Sequence, residues 1–271
     1  MDFKNKVVVI TGASSGIGKA CAEEFASRGA NLVLAARQYV NLCEITRALE
    51  IKYGIRAIAV QVDVSREEDC KILMEQAVTT FGKIDVLVNN AGISMRALFS
   101  ELDLSVLKNL MDVNFWGTVY CSKYALEEIM KTKGSIVGVS SIAGYRGLPG
   151  RTGYSASKFA MNGFMESLRT ELLHTGVHIM VACPGFTASN IRVAALAKDG
   201  HSHGETSMEE GKMMSAEQVA GTIVDGIAAR KRTLVMTAQG KLTVLMNKLF
   251  PSLADKLVFN HFTKEKNALI K

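Results

Sequence analysis

Within S-I-A-G-Y-R-G-L-P-G-R-T-G-Y-S-A-S-K, residues 141–158, a serine precedes a tyrosine by thirteen positions and a lysine follows four later. Four residues make about one helical turn, so on a helix Tyr154 and Lys158 share a face. An ammonium beside a phenol favours the phenolate and draws down a pKa that begins at about 10. A phenol tuned in this way gives or takes a proton near neutral pH. Such a proton needs a reacting oxygen, and the reaction at that oxygen needs a second reagent.

The reagent is suggested at the other end of the chain. The run V-V-V-I-T leads into T-G-A-S-S-G-I-G, with Gly12, Gly16 and Gly18 opening a helical pattern. Glycines between a strand and a helix allow a tight turn and bring backbone N–H groups against a pyrophosphate at the helix N-terminus. The spacing is G-x-x-x-G-x-G, so the common G-x-G-x-x-G fingerprint does not strictly apply, although the strand-to-helix context does. The second apolar run ends at Ala36-Arg37, and no Asp or Glu occurs from Asn31 to Cys43. An arginine without a competing carboxylate suits a 2′-phosphate, because guanidinium pairs bidentately with phosphate oxygens. This chemistry predicts NADP(H) in preference to NAD(H). Asp63, in V-D-V-S, caps the following helix, accepts a bond from an adenine amine, or does both.

The elements that would position these groups follow from hydrophobic patterning. Short β-branched runs near 7–11, 31–36, 56–61, 84–89, 134–140, 177–183 and 233–236 alternate with helical patterns near 17–28, 39–53, 66–81, 103–131, 152–174 and 215–229. That alternation predicts an α/β fold: a single-domain, doubly wound Rossmann arrangement over residues 1–271, with a seven-stranded parallel sheet and helices on both faces. The N-N-A-G turn, residues 89–92, and the C-P-G-F-T turn containing Thr187 then lie at the carboxyl edge of the sheet, where ligands sit in this architecture. Asn114 is an amide within an apolar helical stretch; it braces a neighbouring loop or holds a water near the reacting groups. Residues 186–214 lack strong periodicity and read as a substrate loop. Its His201 and His203, with no ligand partners at metal spacing, read as surface residues, and no metal site is expected. Residues 238–271 form a helical extension split by Pro251. Two helices packed on the body or on a second subunit, or a basic and apolar segment resting on a membrane or on lipid substrate, both fit it.

Composition limits the alternatives. At 271 residues and 48% apolar, the chain can bury a full core. Residues 226–271 hold nine Lys/Arg and two Asp/Glu, leaving 23 basic and 24 acidic residues elsewhere, so the net +6 sits in the tail. Interleaved aromatics and a nucleic-acid module are lacking there, so nucleic acid is not expected as a partner. The five scattered cysteines read as reduced thiols of a cytoplasmic protein, and no leader or membrane span is expected.

Taken together, T-G-A-S-S-G-I-G, N-N-A-G, Asn114, Ser141, Y-S-A-S-K and P-G-F-T resemble the short-chain dehydrogenase/reductase family, in order over about residues 5–237. The resemblance implies an oxidoreductase moving hydride between nicotinamide and a ketone or secondary alcohol. It implies a catalytic set of Asn114, Ser141, Tyr154 and Lys158, with Ser140 as the rival serine. Cofactor positions carry over as Gly12, Ser14, Gly16, Ile17, Gly18, Arg37, Asp63, Asn90 and Thr187, with Tyr154 and Lys158. A homodimer or homotetramer is implied as well. The tail is similar to that of 3-ketosphinganine and other long-chain or steroid-type reductases, which suggests a hydrophobic substrate; hydroxysteroid or bile-acid dehydrogenation is the alternative. A non-catalytic protein that binds and senses the cofactor is the alternative from another class.

Overall fold

The computed structural model of the protein describes residues 2–187, 191–202, 204, 213–264 and 268–270. Its strands are short apolar runs: β1 (Val7–Thr11), β2 (Asn31–Ala36), β3 (Ala57–Gln61), β4 (Val86–Asn89), β5 (Ser135–Val139), β6 (His178–Cys183) and β7 (Thr233–Val235). They pair in parallel in the order β3-β2-β1-β4-β5-β6-β7. Helices α1 (Gly16–Ser27), α2 (Tyr39–Tyr53), α3 (Glu67–Phe81), α4 (Leu104–Met111), α5 (Gly117–Thr132), α6 (Thr152–Glu171) and α7 (Ala216–Ala228) supply the crossovers. The result is the doubly wound, Rossmann-like sheet that the alternation predicts.

Side chains alternate across a strand, and the two cores follow that alternation. Val8 and Ile10 of β1 face α1, α2 and α7, where they meet Phe25, Leu42, Ile45 and Ile223. Val7 and Val9 face α3, α5 and α6, where they meet Leu73, Ile129, Met161 and Met165. Burial on both faces is why these strands read as continuous apolar runs. At the amino edge, the buried Asp85 carboxylate accepts from Lys6 Nζ and from the Val7 amide, each at 2.9 Å, and pairs with Lys83 Nζ at 2.9 Å. The chain leaves β1 towards β2 on one side and β4 on the other, so a crevice opens at their carboxyl ends.

One helix differs from expectation. The pattern over 103–131 predicts a single helix, but Asp112–Trp116 is π-helical and separates α4 from α5. Asn114 lies within this wider turn and is fully buried. π-Bulges tend to mark functional sites, where the extra residue re-aims a side chain.

After β7 the chain forms α8 (Ala238–Leu249) and α9 (Pro251–Phe262). Thr237 caps α8 by accepting from the Gly240 amide at 3.0 Å, and Pro251 opens α9 at a position that needs no N–H donor. Among the described residues, no helix is long and apolar enough to cross a membrane. The segment 186–214 is described only in part. Its Leu196 bonds the strand-like stretch at 94–96, accepting from Arg96 N and donating to Ser94 O, both at 2.8 Å. His201 is exposed beside Asp199, whereas His203 lies outside the described residues.

Candidate active site

A cleft of about 1070 Å³ opens along the carboxyl edge of the sheet. At one end it is lined by Gly12, Ser14, Gly16, Ile17, Arg37, Asp63 and Asn90. Gly12 and Gly16 have φ of +64° and +54°, a region that penalises side chains. Gly18 is placed differently from the other two. It does not line the cleft; a Cβ there would stand 2.3 Å from the Gly12 carbonyl oxygen, so its role is to let α1 close on the turn. The first turn of α1 carries no carboxylate, leaving its N–H groups available to an anion.

Two amides hold this turn rigid. Asn90 Nδ2 donates to Thr11 O at 2.9 Å and Gly12 O at 3.2 Å, and Asn41 Nδ2 donates to Ser14 O at 3.0 Å. Arg37 stands exposed at the end of β2, at the mouth of the same part of the cleft. Asp63 is not a helix cap. Its Oδ1 accepts from the Ser65 amide and hydroxyl at 3.0 and 2.7 Å, fixing the turn ahead of α3, while Asp69 reaches back to the Asp63 amide. The shaped turn, the acid-free helix start and Arg37 fit a nicotinamide dinucleotide.

The other end of the cleft holds Ser141, Tyr154 and Lys158, with Pro184, Gly185 and Thr187 beside them. Ser141 follows β5 and takes the sharp turn there by accepting from the Ala143 amide at 3.1 Å. Ser140, the rival serine, also lines the cleft but is 4% exposed, with its hydroxyl beside Gly144. Tyr154 and Lys158 lie on α6 one turn apart, the Nζ 5.9 Å from the centre of the phenol ring. Lys158 is buried, and Nζ donates to Val139 O at 2.9 Å.

The electrostatics correct one expectation. Burial pushes the Tyr154 phenol above its ordinary range, opposed by the Ser141 hydrogen bond and the Arg151 charge; Lys158 is not among the groups that lower it. The lysine itself is brought down to about 8, because burial disfavours its ammonium form. Cys183, at the end of β6, is pushed up to about 12 by burial and is a neutral thiol at physiological pH. A protonated phenol and an amine poised near neutrality therefore face the cleft together.

Asn114 does not face the cleft. Its Oδ1 accepts from the Ile93 amide at 2.8 Å, and its Nδ2 donates to Ile93 O at 3.0 Å and Ser157 Oγ at 2.9 Å. These bonds brace the neighbouring loop, one of the two readings open in the sequence, and leave Oδ1 one further acceptor position on the side of Gly92. Thr187 is buried and donates to Gly185 O at 3.2 Å, which shapes the turn under the nicotinamide end.

Ile191 and Arg192, from the segment read as a substrate loop, line the substrate end. Other residues of the wall were not singled out in the sequence: Ile93, Leu148 and Arg151 line the same end, and Leu257, Val258, His261 and Phe262 of α9 close its outer side. Arg151 stands immediately before α6, three residues ahead of Tyr154. Its guanidinium lies 5.9 Å from the Phe262 ring centre, so the residue that precedes α6 meets α9 at the cleft. The apolar, basic tail pattern allowed contact with a lipid substrate, but it did not say which residues of α9 would reach the cleft, about a hundred positions from Tyr154.

Comparisons with known proteins agree with this geometry. A family model described as short chain dehydrogenase matches residues 6–200. The chain is 37% identical over 257 residues to 11-beta-hydroxysteroid dehydrogenase A of Arachis hypogaea, covering 92% of this chain and 73% of that one. It is 32% identical over 271 residues to dehydrogenase/reductase SDR family member 7B of Mus musculus, covering 98% and 84%. A short-chain dehydrogenase/reductase of Burkholderia phymatum, solved in complex with NAD, superposes with a TM-score of 0.83 at 27% identity, covering 93% of this chain and 96% of that one. A short-chain dehydrogenase of Sphingobium yanoikuyae, solved with NADPH, gives 0.76 at 24% identity, covering 92% and 96%.

Proposed function

The chain belongs to the short-chain dehydrogenase family and is an oxidoreductase of CH–OH and C=O groups that uses a nicotinamide cofactor; within that family we propose an NADP(H)-dependent reductase of a bulky, apolar ketone. The observation that carries this reading is one cleft with Arg37 at its nucleotide end and the Ser141–Tyr154–Lys158 group at the other, closed by apolar side chains of α9. A steroid-type ketone is favoured by the relatives named as hydroxysteroid dehydrogenases. A long-chain 3-keto lipid of the 3-ketosphinganine kind is the second reading. It is supported by the exposed leucines of α8 and α9, which suit a lipid-borne substrate.

When bound, nicotinamide supplies or accepts the hydride. Tyr154 gives its proton to the oxygen of the carbonyl being reduced, while the Ser141 hydroxyl donates a hydrogen bond to the same oxygen. Burial keeps the phenol protonated at neutral pH, so the resting site suits reduction. Arg151 and Ser141 offset part of that burial and ease the loss of the proton. Lys158, charged below about pH 8, is the cation placed to return a proton towards Tyr154. Asn114 holds Ile93 and Ser157 and so fixes the floor on which these groups stand.

The reading extends to the surface. Trp116 and Phe159, 43% and 45% exposed on neighbouring helices, suit the contact of a homodimer or homotetramer. Leu242, Leu245, Leu249, Phe250 and Leu253 are exposed on α8 and α9 among Lys241, Lys248 and Lys256, which suits peripheral contact of a cytoplasmic protein with an anionic membrane.

An NADPH-consumption screen over steroid ketones, long-chain 3-keto lipids and small polar carbonyls tests the substrate class. Preference for a small hydrophilic carbonyl would end the apolar reading. With the best substrate, Tyr154→Phe should lower kcat by about 10²- to 10⁴-fold and leave NADPH affinity nearly unchanged. Appreciable turnover by that variant removes Tyr154 from proton transfer.

A further inference from the structure

The loop that carries Ser141 is tied to the C-terminal hairpin through one side chain. Arg146, five residues beyond the serine, donates from Nη1 to Asn247 Oδ1 of α8 at 2.9 Å and from Nη2 to Asp255 Oδ1 of α9 at 2.7 Å. Asn247 completes the tie by donating from Nδ2 to the Tyr145 carbonyl at 2.9 Å. The backbone of Arg146 is itself anchored, its amide donating to Ile142 O at 3.0 Å. The guanidinium is largely covered, at 16% exposure, while the Asp255 carboxylate is 67% exposed.

These bonds sit where the hairpin has little else to hold it. The outward faces of α8 and α9 are exposed, and within the two helices only Gly240, Ala254 and Phe262 are buried. Yet the inward face of α9 supplies Leu257, Val258, His261 and Phe262 to the substrate end of the cleft. The wall that meets a substrate is thus carried by a hairpin with a small apolar anchor. A planar, forked guanidinium that bonds two helices at once is suited to setting their position against the catalytic loop.

We propose that Arg146 is a positioning residue, a latch that holds α9 against the Ser141 loop so that Leu257, Val258 and Phe262 form the wall selecting the apolar body of the substrate. This rests on the reading of a bulky apolar ketone given above and adds the element that selects it. Arg146 touches neither the reacting carbon nor the nucleotide turn; it acts through α9. Asp255 and Asn247 are the two ends of the latch, and Arg146→Lys keeps the charge while losing the fork.

The test uses the NADPH-bound enzyme as wild type, Arg146→Ala, Arg146→Lys and Asp255→Asn, with a tetracyclic ketone and with cyclohexanone. Loss of the charge-assisted bonds should raise KM for the tetracyclic ketone about tenfold in Arg146→Ala, with kcat for that ketone changed less than about twofold. Asp255→Asn, altered at an exposed carboxylate, should move KM in the same direction by a smaller factor, and Arg146→Lys should recover part of the loss. Amide hydrogen exchange over residues 251–262 should quicken in Arg146→Ala and Asp255→Asn relative to wild type. Unchanged exchange there, or an equal fall in kcat for both ketones, overturns the latch. A wild-type enzyme that does not prefer the tetracyclic ketone sinks the apolar-substrate reading instead, and the exchange result then decides the latch by itself.

Discussion

Replacing Lys158 by methionine should make the protein more stable while removing its activity. The amine is 3% exposed, and burial brings it from an ordinary lysine's 10.5 to about 8. At 1.36 kcal/mol for each pH unit, that gap amounts to roughly 3 kcal/mol against the folded state when the amine is charged. The penalty is complete below about pH 8. It is relieved as pH rises from there towards 10.5, where the unfolded chain still binds a proton that the folded chain has released. Methionine has similar length and no charge, but it forfeits the bond to Val139 O, worth about 1 kcal/mol. Lys158→Met should therefore gain about 2 kcal/mol at pH 7, raising Tm by roughly 4–8 °C. Urea unfolding of both nucleotide-free proteins between pH 6.5 and 10 is the assay, and the advantage of the variant should vanish by about pH 9.5. A difference that does not change with pH, or a variant less stable than wild type at pH 7, would refute the reasoning.

Arg37→Asp should weaken NADPH by about 100-fold, the loss of a bidentate phosphate pair and its replacement by repulsion, with NADH affinity nearly unchanged; fluorescence titration with each nucleotide checks it, and an unaltered preference removes Arg37 from the phosphate site. Vesicles rich in anionic lipid should sediment the protein at low salt and release it at high salt, because the lysines flanking the leucines of α8 and α9 are screened within a Debye length. Binding that ignores lipid charge would assign the contact to the leucines alone.

Much of this was legible because the sheet is buried on both faces. Apolar runs bounded by glycine turns mark β1 to β6 within a residue or two, and the turns after β1, β4, β5 and β6 carry the motifs that meet in the cleft. What escaped depended on contacts distant in sequence. The π-helical turn at Asp112–Trp116 cannot be separated by eye from a 3.6 period over one turn, and the partners of Asn114 are 21 and 43 residues away. Gly18 and Gly12 look equivalent as letters, but one lines the cleft and the other packs α1 against the turn. Tyr154 was misjudged for a related reason. Spacing reveals that Lys158 is a neighbour, but it cannot say that Lys158 is buried or that desolvation of the half-buried Tyr154 phenol outweighs the Ser141 bond and the Arg151 charge.

The bonding of Asn114 constrains how protons can be returned to Tyr154. Both N–H groups of the amide are given, to Ile93 O and Ser157 Oγ, and Oδ1 has already accepted once from the Ile93 amide. Its main-chain carbonyl accepts from Thr118 Oγ1 at 3.0 Å. The side chain therefore cannot donate to a further group and keeps room for a single incoming hydrogen bond at Oδ1. Lys158 is its complement, since an ammonium has three donors and only one is spent on Val139 O. The two meet over Gly92, where a Cβ would stand 3.1 Å from Asn114 Oδ1 and 3.5 Å from Lys158 Nζ. Any hydrogen-bonded path through this point accepts from Lys158 and donates to Asn114, so the amide orients the path without carrying a proton. In the mechanism proposed above, Lys158, brought down to about 8, is then the group that changes its charge, and the same burial that destabilises the fold is what keeps it ready to do so.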